Sequence, residues 1–345
     1  MQMFSLGLDV GGANTKAVLF DNGKLEKHWL EYIPLWKNLK GLKEFLENVR
    51  QSVRPRVVGV TMSGELSDVF ESKREGVRRI VGVVSDVFSG EKVYYFSLKG
   101  NLVSERKALE SPYLLSASNW VSSGLLAGRE YPECLLIDVG STTTDLVPIN
   151  GGKPDPSGWS DYERLQTKEL IYTGILRTPP PFLKSKVTVD GKQVGISYEY
   201  FANMADVYRV LGLLAEEDYT CETPDGRGMG KEECMRRLAR LICSDLEELG
   251  EEKIIDIAED FRRAQILQVK EGILEVANSH DVDNSTPVIV TGMGDDILGK
   301  KAAEAAGFEE IIRMSSVYGE VASLMTPAFS LGLLVSEEAL NEGRD

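Results

Sequence analysis

Short apolar runs alternate with runs of helical periodicity over the first 130 residues. Runs such as RVVGVTM (56–62) have the length and composition of buried strands, whereas the apolar residues of 39–50 recur every three or four positions, as on one face of a helix. The first apolar run reaches Asp9 and is followed by a Gly-Gly turn, which predicts a β-hairpin. The predicted strands are 3–10, 15–20, one ending near Tyr32, 56–62 and 92–98, and the predicted helices are 39–50, 72–88 and 118–126.

The same pattern restarts at CLLIDVG (134–140), where a second apolar run reaches Asp138 and a glycine turn precedes a return strand over 143–149. An internal repeat of long period indicates a duplicated fold. We therefore expect two hairpin-bearing domains that face each other, with the two aspartates opposed across a cleft. The matched pairs are Leu6 and Leu135, Asp9 and Asp138, Gly11 and Gly140, Thr15 and Thr144, Lys16 and Asp145, and Val18 and Val147.

Beyond the second hairpin the chain is first rich in loops and then mostly helical. Proline-rich stretches precede a predicted hairpin at 187–197. Helices dominate 198–275 with a polar interruption at 223–228, and a strand, a Gly-x-Gly turn and a helix follow over 287–306. The predicted domains are 1–130, with the first hairpin, and 131–345, with the second hairpin, an inserted helical and hairpin substrate region at about 153–275, a Gly turn near 291–295, and a last helix that could pack against the first domain.

Composition and charge narrow the possible partners. The chain has 345 residues, is 42% hydrophobic and carries a net charge of -15. This balance is typical of a soluble globular protein and disfavours nucleic acid and anionic membranes as partners. The N-terminus lacks the features of a signal peptide and no apolar run reaches about 20 residues. We expect a cytoplasmic monomer or homodimer acting on small molecules.

Cysteine and histidine offer little chemistry. A zinc site built from Cys221, Cys234 and Cys243 is conceivable, but free thiols fit their spacing better. The chain has only two histidines, His28 and His280, which lie in no cluster typical of metal ligands. Carboxylates, hydroxyls, lysine and backbone amides are therefore the groups expected to act.

Each repeat places an aspartate at a strand end before a glycine turn with hydroxyl-bearing residues. Glycine allows the backbone to point successive N–H groups at an anion, and threonine or serine adds hydroxyl donors. Asp9 and Asp138 suit Mg²⁺, which takes oxygen ligands and bridges to phosphates. The alternative is a pair of ordinary hairpins in which aspartate initiates the turn. The predicted phosphate-binding residues are Gly11, Gly12, Asn14, Thr15, Lys16, Gly140, Ser141, Thr142 and Thr143.

A third glycine turn, in TGMGDD (291–296), precedes a predicted helix. Gly292 and Gly294 would let a ligand approach the helix N-terminus, although Asp295 and Asp296 would repel bare phosphate. An adenosine, a metal-held diphosphate or a cationic amine suits this turn better.

The order of two phosphate hairpins and a late glycine turn resembles the superfamily of actin, the sugar kinases and the heat-shock chaperone ATPases. The resemblance implies an α/β fold of two RNase-H-like domains around a nucleotide-type cleft, in which the glycine turns embrace phosphates.

Five separated phrases resemble a narrower group: LDVGGANTKAV, GVTMSGELSD, IDVGSTTTDLVPI, ELIYTGILRTPP and MADVYRVLG. They are similar to a branch near the hydantoinase and oxoprolinase proteins. Within that branch they resemble archaeal transferases that take part in the biosynthesis of methanofuran, a coenzyme of methanogenesis. The resemblance implies a reaction that joins an aminomethylfuran methyl diphosphate to the phenol oxygen of γ-glutamyltyramine and releases diphosphate.

In that reaction Lys16 and Mg²⁺ would stabilise the negative charge of the leaving diphosphate, and a carboxylate would deprotonate the phenol. The candidate bases are Glu65, Asp145 and Asp206, each with a structural alternative: a helix cap, a pair with Lys16 or an arginine, and a solvated helix residue. Tyr172, Arg177 and the proline run at 178–181 are expected to shape the substrate side.

Three other functions fit the same motifs. A small-molecule kinase would use ATP, so ATP or ADP is a possible ligand that the leading hypothesis does not require. A hydantoinase-like amide hydrolase is expected to be longer than this chain, and an actin-like module would need polymer contacts that the sequence does not reveal.

Overall fold

The computed structural model describes residues 3–37 and 39–342. The strands in chain order are β1 (Phe4–Val10), β2 (Asn14–Asp21), β3 (Lys24–Tyr32), β4 (Val57–Met62), β5 (Lys92–Phe96), β6 (Leu102–Val103), β7 (Cys134–Val139), β8 (Thr144–Asn150), β9 (Lys153–Pro154), β10 (Leu170–Ile171), β11 (Lys186–Val189), β12 (Lys192–Gly195), β13 (Val288–Thr291) and β14 (Ile311–Arg313).

Helices occupy much of the rest of the described chain. The α-helices are α1 (Lys40–Val53), α2 (Lys73–Val87), α3 (Glu105–Glu110), α4 (Asn119–Glu130), α5 (Asp161–Gln166), α6 (Met204–Val210), α7 (Lys231–Arg240), α8 (Leu246–Leu249), α9 (Glu251–Ser279), α10 (Lys300–Ala306), α11 (Met314–Tyr318), α12 (Glu320–Leu324) and α13 (Thr326–Glu342). Short 3₁₀ turns at Pro112–Leu114 and Pro180–Phe182 and a π-turn at Asp295–Gly299 complete the regular structure.

The chain forms two compact units. The first takes the residues up to Cys134, Ile149–Glu163 and the segment from Met314 onward, and the second takes Leu135–Pro148 and Arg164–Arg313. The first unit therefore draws on segments from both sides of the linear boundary near residue 130.

The first unit is built on a six-stranded sheet in the order β3-β2-β1-β4-β5-β6. Strand β1 pairs antiparallel with β2 and parallel with β4, as the predicted hairpin and the following buried strand require. The last helix, α13, packs on β1: a Cβ on Gly7 would lie 1.9 Å from the Ala328 carbonyl oxygen and 2.3 Å from the Gly332 nitrogen. Only glycine permits this backbone approach.

The second unit repeats that arrangement. Its sheet runs β10-β8-β7-β13-β14, with β13 parallel to both β7 and β14 and β8 antiparallel to β10. In each unit the first strand thus lies at the centre, flanked by the second and third strands on one side and the fourth and fifth on the other. The α/β fold and its predicted duplication are confirmed.

Within the second unit, the predicted hairpin forms as β11 and β12, with left-handed backbone at Asp190 and Gly191. Irregular chain separates α6 from α7, and it includes the polar stretch TPDGRG (223–228) at which the sequence predicts an interruption of the helices. The predicted helix at 295–306 begins as a π-turn before α10. The longest helix, α9, carries buried residues such as Phe261, Gln265 and Ile273 along its length.

Candidate phosphate-binding site

The turn between β1 and β2 is closed by glycine. The Gly11 nitrogen donates to the Asn14 carbonyl oxygen at 3.1 Å, and a Cβ on Gly11 would lie 2.6 Å from that oxygen. The Gly12 carbonyl accepts from the Leu35 nitrogen at 2.9 Å, which anchors the turn to the chain that follows β3. The half-buried residues of the turn are therefore held in a fixed backbone conformation.

Lys16 lies beside Asp9 in this hairpin. The two residues are partners in the β1–β2 register, and the Lys16 Nζ is 3.8 Å from Asp9 Oδ2. Asp9 is buried, whereas the Lys16 side chain keeps a quarter of its surface exposed. Thr15 is fully buried, and its hydroxyl has no hydrogen-bond partner among the residues that the structure describes. The assignment of phosphate to Thr15 stays a prediction.

Glu65 lies directly behind the first turn. The Ser63 and Gly64 nitrogens both donate to the Val10 carbonyl oxygen, at 3.0 and 3.1 Å, and a Cβ on Gly64 would lie 2.9 Å from Gly11 backbone atoms. The segment that carries Glu65 is thus fastened to the end of β1 and to the glycine turn.

Glu65 is 1% exposed. Ser116 Oγ donates to its Oε1 at 2.5 Å, while Oε2 is buried with no hydrogen-bond partner within the described chain. Burial raises the pKa of Glu65, with nearby Asp161 adding to the rise, and the Ser116 hydrogen bond and Lys73 oppose it. The residue is not a helix cap, because no helix begins there.

The second hairpin presents hydroxyl groups. The Gly140 nitrogen donates to the Thr143 carbonyl oxygen at 2.9 Å, and Ser141, Thr142 and Thr143 are half-buried. The Ser141 and Thr142 hydroxyl oxygens are 3.4 Å apart. The predicted phosphate-binding residues of this turn are therefore partly accessible within their own unit.

Asp145 pairs with an arginine, one of the alternatives that the sequence left open. Arg164 Nη1 donates to Asp145 Oδ1 at 2.7 Å, and Arg164 Nη2 donates to the Glu169 carbonyl oxygen at 2.9 Å. Arg164 is 1% exposed. This buried ion pair ties β8 to the segment after α5 and makes Asp145 a weaker candidate for a base.

Asp206 is also engaged by neighbours. Its Oδ2 accepts from the Asn203 nitrogen in a capping box at the start of α6, and its Oδ1 accepts from Arg237 Nε at 2.8 Å and from the Tyr219 hydroxyl at 3.1 Å. Burial raises the pKa of Asp206, and the buried Arg237 guanidinium opposes that shift. Asp206 is fully buried, so the alternative of a solvated helix residue is wrong.

The segment 171–178 packs against the second hairpin turn and is hydrogen-bonded to its backbone. The Ile175 nitrogen donates to the Gly140 carbonyl, and the Leu176 and Arg177 nitrogens both donate to the Ser141 carbonyl, at distances between 2.9 and 3.1 Å. A Cβ on Gly174 would lie 2.5 Å from the Thr142 nitrogen. The phrase YTGILRTPP therefore holds the backbone of this turn.

A buried polar chain fixes that supporting segment to α9. Gln265 Nε2 donates to the Gly174 carbonyl oxygen and to Thr173 Oγ1, each at 2.9 Å, and the Tyr208 hydroxyl donates to Gln265 Oε1 at 2.6 Å. Gln265 is fully buried with its amide satisfied. The sequence did not reveal Gln265 or Ser116, because a single glutamine in a helix and a serine in a loop belong to no motif. Gly174, by contrast, lies in the phrase ELIYTGILRTPP, which carries part of the family resemblance.

The late glycine turn lies against the end of β7. Gly292 has a φ of +87°, and a Cβ there would lie 2.7 Å from Asp138 Oδ1. The Gly294 nitrogen donates to the Val139 carbonyl oxygen at 3.0 Å. Asp295, expected to repel phosphate, forms a bidentate pair with Arg313 at 3.1 Å. Within the second unit the structure therefore brings Gly292 and Gly294 together with Asp138.

The residues predicted to bind a metal are two aspartates, Asp9 in the first unit and Asp138 in the second. No group of three or more histidine, cysteine, aspartate or glutamate residues with the arrangement of a metal site occurs in the described ranges. Asp9 and Asp138 offer hard carboxylate oxygens, and Mg²⁺ usually completes its shell with water and phosphate oxygens.

Cys221 and Cys234 are buried free thiols, and Cys243 is exposed.

Solved structures share this fold. The chain is 12% identical to the nucleotide-free acetone carboxylase from a study of ATP-dependent acetone carboxylation, covering 96% of this chain and 70% of that one with a TM-score of 0.57. It is 13% identical to component A of the (R)-2-hydroxyglutaryl-CoA dehydratase of Acidaminococcus fermentans, with 98% and 99% coverage and a TM-score of 0.50. Both likenesses show that these proteins share the fold of this chain.

Sequence relatives define the family. The hydantoinase/oxoprolinase family model matches residues 56–331, and the chain belongs to this family. It is 35% identical over 339 residues, 98% of this chain and 99% of the relative, to the (4-{4-[2-(gamma-L-glutamylamino)ethyl]phenoxymethyl}furan-2-yl)methanamine synthase of Methanocaldococcus jannaschii. The synthase of the same name from Methanococcus vannielii is 37% identical over 207 residues, 59% of this chain and 91% of that protein.

No helix within the described residues is long and apolar enough to cross a membrane.

Proposed function

We propose that this chain is an ether-forming synthase of methanofuran biosynthesis. It joins the furan methyl diphosphate of an aminomethylfuran to the phenol oxygen of γ-glutamyltyramine and releases diphosphate. The observation that carries the proposal is the match over nearly the full length of both chains to a relative named as the synthase of a phenoxymethylfuran product.

The proposed reaction is a transfer of an alkyl group to oxygen. The phenol O–H bond breaks and its proton passes to a base, the phenol oxygen forms a bond to the furfuryl carbon, and the bond from that carbon to the diphosphate oxygen breaks. The diphosphate leaves with the electron pair of that bond. No phosphoryl group is transferred, so the chemistry needs stabilisation of a leaving anion and removal of one proton.

The two glycine turns are suited to the leaving group. Backbone N–H groups, hydroxyls and a lysine stabilise charge that develops in a transition state when they are fixed in advance. Lys16 supplies the positive charge of the first turn, and Ser141, Thr142 and Thr143 supply hydroxyl donors in the second. Asp9 and Asp138 would hold Mg²⁺, which neutralises diphosphate oxygens when bound.

Glu65 is the base that we favour. An unperturbed phenol has a pKa of about 10, so a base of raised pKa deprotonates it more readily than an ordinary carboxylate does. The proposal is supported by the burial of Glu65, by its unpartnered Oε2 within the described chain, and by its attachment to the first glycine turn. Asp145 and Asp206 are less suitable, because both are held in buried ion pairs with arginine.

The proposed setting follows from the substrates. We place the enzyme in the cytoplasm of an archaeon, as a monomer or homodimer that acts on small molecules. The net charge of -15 supports the exclusion of nucleic acid and anionic membrane as partners.

One assay separates this function from its rivals. The purified protein is incubated with Mg²⁺ and either ATP or the furan diphosphate together with γ-glutamyltyramine. We expect ether and diphosphate in equal amounts only when both organic substrates are present, and loss of turnover when EDTA removes the metal. Formation of ADP without any furan compound would instead support an ATP-dependent kinase or hydantoinase-like enzyme.

A further inference from the structure

The two glycine turns differ in the charge that they carry. The first turn is followed by Lys16, but the matching position in the second repeat is Asp145. That aspartate is taken up by the buried Arg164. If the second turn is to bind an anion as the first does, its positive charge must come from a residue outside the hairpin.

Arg177 is placed to supply that charge. Its guanidinium Nη1 lies 3.5 Å from Thr142 Oγ1, and its backbone nitrogen donates to the Ser141 carbonyl oxygen at 2.9 Å. The main chain of Arg177 is therefore part of the support of the turn, while its half-buried side chain reaches the hydroxyl that the turn presents.

The support under Arg177 is rigid. Gly174 packs on the backbone of Thr142, and Thr178 Oγ1 both accepts from the Gly174 nitrogen at 2.9 Å and donates to the Gly174 carbonyl at 3.1 Å. The prolines at 179–181 follow directly and restrict the backbone further. A guanidinium held on such a segment loses little conformational entropy when it binds an anion.

We infer that Arg177 is the diphosphate-binding cation of the second turn, the counterpart of Lys16 in the first. A guanidinium presents paired N–H donors that match two oxygens of a phosphate group. The hydroxyls of Ser141 and Thr142 would complete the contact with the same group. This inference rests on the proposed function for the identity of the ligand.

The test measures diphosphate binding directly. Inorganic diphosphate is titrated by calorimetry, in the presence of Mg²⁺, into the wild-type protein and the Arg177→Gln, Arg177→Lys and Arg263→Gln variants. Arg263 is the matched control, because its side chain is 65% exposed on α9 of the same unit. We expect Arg177→Gln to weaken diphosphate binding by about 10- to 100-fold, a loss typical of a charge-assisted hydrogen bond. Arg177→Lys should recover part of it, and Arg263→Gln should bind as the wild type does.

Steady-state kinetics then shows whether Arg177 binds the diphosphate of one substrate or the glutamyl carboxylates of the other. For Arg177→Gln we expect a higher KM for the furan diphosphate and an unchanged KM for γ-glutamyltyramine. A rise in the KM for γ-glutamyltyramine alone would overturn the inference and assign Arg177 to the glutamyl carboxylates, with the proposed function intact. Unchanged diphosphate binding in Arg177→Gln, with a thermal midpoint like that of the wild type, would overturn it as well.

Failure of the proposed function would look different. Diphosphate binding that depends on Arg177 in a protein that forms no ether would support the inference and contradict the proposed reaction.

Discussion

At the scale of single residues, Glu65 combines burial with an oxygen that has no hydrogen-bond partner among the described residues. A buried carboxylate of this kind costs stability when it is ionised. Groups with perturbed pKa values cluster at functional sites, where a catalytic role accounts for the loss of stability. A phenol that reaches Glu65 would enter the same water-poor surroundings.

The Glu65→Gln variant should therefore lose activity without losing stability. We expect kcat to fall by about 100- to 10,000-fold, the usual contribution of a positioned base. The free energy of unfolding at neutral pH should be unchanged or higher, because glutamine has no charge to desolvate. Glu91→Gln is a suitable control, since the Glu91 side chain is also mostly buried and pairs with Arg50 in the same unit. Normal turnover in Glu65→Gln would rule Glu65 out as the base.

The pH dependence of Glu65 has a definite sign. Its pKa in the folded protein lies above the ordinary value of 4.5, so between the two values the folded state binds more protons than the unfolded chain. Its contribution to the free energy of unfolding is full below the unfolded value and is lost as pH rises through the folded value. Activity should rise over that same upper range, as the base loses its proton, and Ser116→Ala should move this rise to higher pH.

At the scale of elements, the supporting segment 171–178 decides where the second glycine turn lies. Its contacts run through backbone atoms of Gly140, Ser141 and Thr142, and they are fixed from α9 by Gln265. The turn is thus built from two distant parts of the sequence. A change in the support should alter the turn although no residue of the hairpin itself is replaced.

Gly174→Ala tests this dependence. The added methyl would lie 2.5 Å from the Thr142 nitrogen, and the backbone must shift to relieve the overlap. We expect a loss of about 1–3 kcal/mol in the free energy of unfolding, together with a higher KM for the furan diphosphate. Gly195→Ala is the control in the same unit, because a methyl there would meet no atom within 4 Å. Equal denaturation midpoints for the two variants would show that the support is not required.

The sequence predicted those helices and strands whose formation depends on residues close together in the chain. The hairpins at 4–21 and 186–195, the strand at Val57–Met62 and the helix capped by Ser72 all follow from periodicity, turn glycines and caps. The support of the second turn could not be predicted in this way, because its hydrogen bonds join residues far apart in the sequence, such as Gln265 and Gly174. The same holds for the buried Asp206–Arg237 ion pair, whose partners lie 31 residues apart in the sequence.

At the scale of the whole molecule, a duplicated unit has diverged in its charges. Both sheets place the first strand at the centre in the same order, and both first strands have an aspartate as their second-last residue before a glycine turn. The lysine of the first repeat is an aspartate in the second, where Arg164 neutralises it and Arg177 lies beside the turn. We propose that this difference in charge serves the binding of diphosphate as a leaving group.

The proposed reaction requires the bond between the furfuryl carbon and the diphosphate oxygen to break. The most direct measurement uses furan diphosphate labelled with ¹⁸O at the oxygen that bridges carbon and phosphorus, followed by mass spectrometry of both products. We expect all of the label to leave in the diphosphate and the ether oxygen to come from γ-glutamyltyramine. Label retained in the organic product would mean cleavage at phosphorus and would rule out the proposed reaction.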